Sequence, residues 1–261
     1  MRVQPKKHLG QHFLKDESIS QEIVSSVNQI GQIGTVLEIG PGTGALTKYF
    51  ANKKVNFLAF EVDKESIDFL SINYPSVKVL NQDILAYDLS SFEFKPVAIV
   101  GNFPYNISSQ ILFKAIEFRA EVNQLVGMFQ KEVAERVASP PGSKKYGILS
   151  VLIQAYFNVE YLFTVHEDSF IPPPKVKSGV IRLLRNDVSK LECDEKLFFK
   201  IVKATFNQRR KMIRNSIKTI VGKLDSEHEL FSKRPEQLSV KNFITLTNFT
   251  ESIIKTANSN Q

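Results

Sequence analysis

The sequence predicts an α/β fold, with an open seven-stranded sheet, completed by a hairpin-like final pair, followed by a small C-terminal all-helical domain. Three observations carry that expectation. Short apolar runs such as 35–39 and 98–100 alternate with segments whose apolar residues recur at helical spacing. The early runs end in glycine-rich, acidic or amide-bearing turns, at the sheet edge where open α/β folds bind ligands. Beyond residue 186 the strand-like runs stop and only helical patterns remain. The expected domains are therefore 1–186 and 187–261, and 261 residues suffice for both.

Residues 1–17 are basic and polar and read as a mobile arm. Within it, Gly10-Gln11-His12-Phe13-Leu14 joins polar donors to two apolar anchors, a composition suited to lying across a pocket or simply to docking. A helix is expected from Ser18, with Ile19, Ile23, Val24, Val27 and Ile30 on one face and Gly31 and Gly34 ending it. The first strand, 35–39, runs into Gly40-Pro41-Gly42-Thr43-Gly44 and a helix over 45–50. Glycines at Gly40 and Gly42 let backbone approach a ligand closely. Their spacing, with Glu38 just ahead, departs from the G-x-G-x-x-G of nicotinamide dehydrogenases.

The second strand, 55–60, ends in Glu61-Val62-Asp63; Glu61 is placed to bind ribose hydroxyls and Asp63 to cap the helix that follows. The third, 77–80, ends in Asn81-Gln82-Asp83-Ile84, where Asp83 can accept from an adenine amino group while Ile84 packs on the ring. The fourth begins at Ala98 and ends in Asn102-Phe103-Pro104-Tyr105, with Ser108 as the expected cap of a helix reaching Phe118. Pro104 stiffens this turn and drives Phe103 extended. The Asn102 side-chain oxygen and the Pro104 carbonyl can both accept from an exocyclic amine on a flat base, and Tyr105 offers a stacking face.

Further on, 123–130 reads as a strand, 131–138 and 146–156 as helices, 158–165 and 179–184 as the last two strands. The proline-rich loop from Phe170 to Ser178 holds Phe170 as the expected second face of a base sandwich. After a polar linker, Leu197, Phe198, Ile201, Val202, Thr205 and Phe206 line a helix face. Arg209, Arg210, Lys211 and Arg214 then place four cations within six residues, a candidate helical phosphate-binding face. A last helical segment starts at Arg234.

Composition narrows the class. With 34 Lys and Arg against 27 Asp and Glu, the net charge of +7 suits a polyanionic partner. The single cysteine, Cys193, excludes an intrachain disulfide and a cysteine zinc cluster, and the four histidines lack metal-ligand spacing, so no metal is expected. No apolar run approaches the ~18 residues of a membrane span and no signal peptide is evident, so a cytoplasmic protein without a membrane partner is expected.

In order, these segments resemble the class I S-adenosylmethionine-dependent methyltransferases. Within that class they are most similar to the small-subunit (16S) ribosomal RNA adenine N6,N6-dimethyltransferases, the kasugamycin-resistance family. The resemblance rests on Gly10–Leu14, Glu38–Gly44, Asn102–Ser108, Phe170–Val176 and Phe206–Lys211, which span most of the chain. It implies S-adenosylmethionine as cofactor, at His12, Leu14, Gly40, Glu61, Asp83 and Asn102; the neighbouring Gln11, Gly42 and Ile84 complete the expected site. It also implies two adjacent adenosines near the 3′ end of 16S rRNA as substrate, within the small ribosomal subunit, and a monomeric enzyme is expected. In this family His12 is often Asn and Phe103 is commonly Leu or Ile. The expected mechanism is direct in-line transfer, without a strong base, aided by positioning and by carbonyl dipoles. Two other readings stand beside it. One is a 23S rRNA dimethyltransferase of the macrolide-resistance type, which shares the fold and N-x-P-Y. The other is a ribosome-assembly factor that binds without catalysis.

Overall fold

The computed structural model describes residues 3–222 and 226–259. The chain divides into two compact units, one of residues 1–135 with 158–185 and one of residues 136–157 with 186–261. Residues 136–157, which sequence reading assigned to the first domain, are thus grouped with the helical unit, and the chain passes between units within a helix.

The first unit is built on a seven-stranded sheet. Its strands are β2 (Thr35–Ile39), β3 (Asn56–Glu61), β4 (Lys78–Asn81), β5 (Val97–Asn102), β6 (Val122–Gln130), β7 (Phe157–Val165) and β9 (Ser178–Arg185). A separate antiparallel pair joins β1 (Phe13–Leu14) to β8 (Phe170–Ile171). The sheet order is β4-β3-β2-β5-β6-β9-β7. From β4 to β6 all neighbours are parallel, and β9 runs antiparallel to β6. All five residues of β2 are buried, as are the first five of β5, which is why both read as continuous apolar runs. After β2 the chain builds β3 and β4 on one side, then returns to build β5 on the other. The strand order therefore reverses between β2 and β5, and a crevice opens at their carboxyl ends.

Helices α1 (Glu17–Ser25), α2 (Thr47–Phe50), α3 (Lys64–Asn73) and α4 (Ser108–Glu117) flank this sheet in sequence. Their ends correct four expectations. α1 begins at Glu17 rather than Ser18, capped by Asp16, whose carboxylate accepts from the Ser18 and Ile19 amides at 3.0 and 3.4 Å. The helix stops at Ser25, and Ile30 falls in a separate 3-10 turn. Ser108 is the first residue of α4 and its hydroxyl donates to the Tyr105 carbonyl at 3.1 Å. Asp63 does precede α3, but its side chain caps no backbone amide. The core under the sheet gathers Val36, Phe50, Val100, Met128, Phe170 and Val180.

The arm before α1 is tied down. Lys6 forms ion pairs with Asp63 and, at 3.1 Å, with Glu65, while β1 pairs with β8. Lys15 N donates to Ser169 O at 2.9 Å. The described residues of the segment read as mobile, from Val3 on, are thus docked within the first unit.

The second unit is helical. The helix α5 (Lys131–Ala138) leads into it, followed by α6 (Ile148–Gln154), α7 (Glu195–Asn207), α8 (Ile213–Val221) and α9 (Val240–Ser259). Asp194 caps α7 by accepting from Leu197 N at 2.7 Å. The buried face of α7 is Phe198, Ile201, Val202 and Thr205, as its periodicity requires. Tyr146, fully buried, lies 6.1 Å from the Phe206 ring, which lies 6.0 Å from Phe243. No helix among the described residues is long and apolar enough to cross a membrane.

Candidate active site

The crevice at the β2/β5 reversal is a pocket in the first unit. It is lined by Gln11, His12, Leu14, Gly40, Gly42, Glu61, Asp83, Ile84 and Asn102, together with Pro104 and Tyr105. Four loops bring them together: the arm and the turns after β2, β3 and β4. The N-F-P-Y turn after β5 closes the far wall.

The glycine turn follows β2 because its backbone must curl back tightly. Gly40 and Gly42 have φ of 65° and 55°, and a Cβ on Gly42 would lie 2.8 Å from the Phe13 ring. Phe13 is one lining residue that sequence reading treated only as an anchor. Glu38 is another. It is buried in β2, accepts a hydrogen bond from Thr47 Oγ1 at 2.6 Å, and burial pushes its carboxyl up to about 8, with the nearby Glu61 charge acting in the same direction. Its place immediately before the first glycine was the available signal.

Glu61 is 4% exposed at the tip of β3. Its two oxygens accept from the backbone amides of Gly42 at 3.1 Å, Val62 at 2.8 Å and Asp63 at 2.9 Å. Burial raises its pKa above the ordinary carboxylate value, and the three amides oppose that shift. Burial likewise disfavours charge on Asp63, but hydrogen bonds from Lys6, Ser66 and Gln11 outweigh it and hold the carboxyl below its ordinary value. Gln11 spans this corner, accepting from Lys6 N at 2.8 Å and donating to Asp63 at 3.4 Å. Asp83 is exposed, with one oxygen taking Leu85 N at 2.9 Å, and Ile84 beside it is buried.

The N-F-P-Y turn is set by three contacts distant in sequence. Asn102 Nδ2 donates to the His12 carbonyl at 2.8 Å, which leaves the side-chain oxygen as the free acceptor. His12 Nδ1 lies 2.8 Å from the Pro172 carbonyl, and since a carbonyl only accepts, that nitrogen carries the proton. The Tyr105 hydroxyl is 2.6 Å from the buried Ser178 Oγ, and the Tyr105 ring lies 5.5 Å from the His12 ring at 31°. Burial raises the Tyr105 pKa despite the Ser178 contact. The Pro104 carbonyl already accepts from Ile107 N at 3.2 Å, so one of its two lone pairs remains.

Phe103 answers the question of where a bulky ring goes at the second position of the motif. It is 1% exposed and wedged where two cross-strand partners, Gly101 on β5 and Gly127 on β6, both lack a side chain. A Cβ on either would come within 2.5 and 2.1 Å of the ring.

Two expectations are corrected. Phe170 is 1% exposed and lines neither this pocket nor the cavity beside it. It pairs with Leu14 across β1/β8, so alternation turns it into the core and leaves Ile171, 50% exposed, on the outside. The cations do not share a helix face, because Arg209, Arg210 and Lys211 sit in the turn between α7 and α8 and only Arg214 lies in α8. Arg209 pairs with Glu236 at 3.8 Å, and Arg214 pairs with Glu227, which holds the guanidinium above its ordinary pKa. Arg210 and Lys211 are exposed and have no acidic partner among the described residues.

A family model described as "Ribosomal RNA adenine dimethylase" matches residues 2–257. The chain is 55% identical over 250 residues to the ribosomal RNA small subunit methyltransferase A of Flavobacterium johnsoniae, covering 94% of this chain and 95% of that protein. It is 55% identical over 260 residues to the protein of the same name from Bacteroides thetaiotaomicron, covering 98% and 97%. Among solved structures, a dimethyladenosine transferase from Plasmodium falciparum has the same fold, with a TM-score of 0.75 at 23% identity over 93% of this chain and 98% of that one. The 23S rRNA methyltransferase ErmE aligns with a TM-score of 0.67 at 25% identity, over 90% of this chain and 99% of that one. Matched from the arm through the last helix, and carrying the glycine turn and N-F-P-Y on one crevice, the chain belongs to the ribosomal RNA adenine dimethylase family.

Proposed function

We propose that this chain transfers methyl groups from S-adenosylmethionine to the N6 amino groups of two adjacent adenosines near the 3′ end of 16S rRNA, in the small ribosomal subunit. The observation that carries the reading is the Asn102–His12 hydrogen bond, which commits the amide donor and leaves the oxygen to accept from an exocyclic N–H.

The lining suits this cofactor. Glu61 and Asp83 bring two carboxyl groups and no Lys or Arg joins them in a mostly apolar pocket, which favours a ligand bearing positive charge and ribose hydroxyls; Glu38 beneath them is held protonated by burial. The Gly42 turn leaves room that a Cβ would fill. Glu61 would hold the ribose, Asp83 the adenine amino group, Ile84 the ring, and Gln11, His12 and Leu14 the arm-side wall. When bound, S-adenosylmethionine supplies an electrophilic methyl on a cationic sulfur.

The protein's own part is positioning. Asn102 Oδ1 and the remaining lone pair of the Pro104 carbonyl accept from the target amine, aiming its nitrogen and facing the charge that grows there. Tyr105 stacks on the base, which leaves its own stack to enter. The amine proton becomes acidic only as the methyl is gained, so it passes to water without a dedicated base. Residues 1–135 with 158–185 would form the catalytic unit, and the helical unit would contact RNA through Arg210 and Lys211, with Arg209 and Arg214 supporting. The enzyme would act as a cytoplasmic monomer without a metal.

The test is labelled methyl transfer to unmethylated small subunits and, in parallel, to 23S rRNA, with nucleoside analysis. N6,N6-dimethyladenosine in small-subunit RNA alone is expected, and loss of it in Asn102→Ala. Label in 23S rRNA alone would refute the substrate assignment. Cofactor binding with no transfer to either RNA would refute the catalytic one.

A further inference from the structure

A second cavity adjoins the pocket and shares Gly10, Gln11, His12 and Tyr105 with it. The rest of its wall comes from the arm, from Gln130 and from the proline loop, including Lys7 and Lys175. The two cavities differ in charge. The first is lined by Glu61 and Asp83 with no Lys or Arg; the second is lined by two lysines with no Asp or Glu. Adjoining spaces of opposite charge suit a cationic ligand on one side of Tyr105 and an anionic one on the other.

We propose that this second cavity is a phosphodiester clamp, in which Lys7 and Lys175 hold the backbone phosphates flanking the target adenosine. The inference rests on the reading of the site given above. Both lysines are exposed and neither has an acidic partner among the described residues, unlike the adjacent Lys6. Both stand on stiff supports. Lys7 opens a 3-10 turn closed by Gly10 at φ 64°, and Lys175 follows Pro172, Pro173 and Pro174. The His12–Pro172 hydrogen bond ties these two segments together, so the backbone that carries the lysines is joined before any ligand arrives. A nucleotide extruded towards Tyr105 brings its 5′ and 3′ phosphates with it, and phosphate contacts fix register without reading sequence.

The test compares K7Q/K175Q with K54Q/K78Q, which loses the same charge at exposed sites outside both cavities. Binding of unmethylated small subunits is measured across a salt series without cofactor, alongside methyl transfer and calorimetry with S-adenosylmethionine. The clamp predicts that K7Q/K175Q binds particles on the order of tenfold more weakly, with the log–log salt slope shallower by about 1–1.5. Its cofactor affinity stays at the parent value, and K7R/K175R restores binding. Equal particle affinity and slope in the two Gln pairs would overturn the clamp, as would loss of cofactor affinity in K7Q/K175Q, which would mark the lysines as supports of the arm. Competition by inorganic phosphate or adenosine monophosphate as strong as that by an RNA fragment would replace the RNA backbone with a free anion as occupant. Because binding is read without methyl transfer, an inactive parent chain would refute the catalytic reading alone and leave the clamp measurable.

Discussion

Gly127→Ala tests the slot that holds Phe103. The added Cβ would lie 2.1 Å from Cε2 and 2.7 Å from Cζ of the Phe103 ring, while Gly101, its cross-strand partner, closes the other edge. The ring has nowhere to retreat: it is 1% exposed, and its centroid lies 5.0 Å from that of Phe129. Overpacking of this kind costs about 1–3 kcal/mol, or roughly 2–4 °C in Tm for each kcal/mol in a chain of this size. Phe103→Leu withdraws the ring edge, so the double variant should recover much of that loss, with a coupling energy of about 1 kcal/mol or more. The assay is urea unfolding of all four proteins, read as midpoints at constant slope, beside methyl transfer. Activity should fall further than stability in Gly127→Ala, because Phe103 follows Asn102, and displacement of a positioned group by ~1 Å can cost on the order of 10² in rate. A Gly127→Ala protein within about 0.5 kcal/mol of the parent, or strictly additive effects, would refute the slot.

Three other outcomes are expected. Between about pH 5 and 8 the folded chain holds a proton on Glu38 that the unfolded chain has released, so this residue makes stability fall as pH rises through that window, by up to about 1.4 kcal/mol per pH unit. Glu38→Gln removes the dependence, so its unfolding midpoint should gain on the parent from pH 5 to 8 and level off above; parallel pH curves would show that Glu38 is ionised throughout. Ser178→Ala should slow methyl transfer with cofactor affinity unchanged, but have no further effect in a Tyr105→Phe background, because the 2.6 Å hydroxyl contact is then already absent; additive losses would assign Ser178 a separate packing role. Finally, Arg210→Gln with Lys211→Gln should weaken binding to small subunits in a salt-dependent way, whereas Arg209→Gln alone should do less because Glu236 already engages that guanidinium; equal salt slopes for all three proteins would remove this turn from the RNA interface.

What could be read in advance follows the range of the interactions. The strand β2 was legible to the residue, and β5, β6 and β9 nearly so, because a buried strand needs only a local apolar run and a turn. The pocket residues on strand ends were legible because topology alone carries them to one edge. Phe170 was misread because a two-residue strand shows no alternation of its own; its direction is set by pairing with Leu14, 156 positions earlier. The arm looked mobile because its polar composition gives no hint of Asp63, 57 residues away. The cations looked like one helix face because the partners of Arg209 and Arg214, Glu236 and Glu227, lie in later segments.

The same long-range contacts explain how the site is held ready. A side-chain amide can donate or accept, and binding an amine requires the oxygen to face it. The His12 carbonyl occupies the Asn102 donor and so selects one orientation. That carbonyl is held in turn by its own side chain, through Nδ1–H to Pro172. Ser178, six residues beyond Pro172, holds the Tyr105 hydroxyl. The proline-rich loop therefore reaches Asn102 and Tyr105 through backbone and hydroxyl contacts, while its Phe170 ring is buried. Its Phe170 anchors it in the core, its prolines keep it stiff, and two hydrogen bonds transmit that rigidity to Asn102 and Tyr105. Preorganisation of this kind favours catalysis because no group has to reorient as charge develops on the nitrogen. It also places the cost of disturbing the loop on rate more than on cofactor affinity, since neither Pro172 nor Ser178 lines the cofactor pocket.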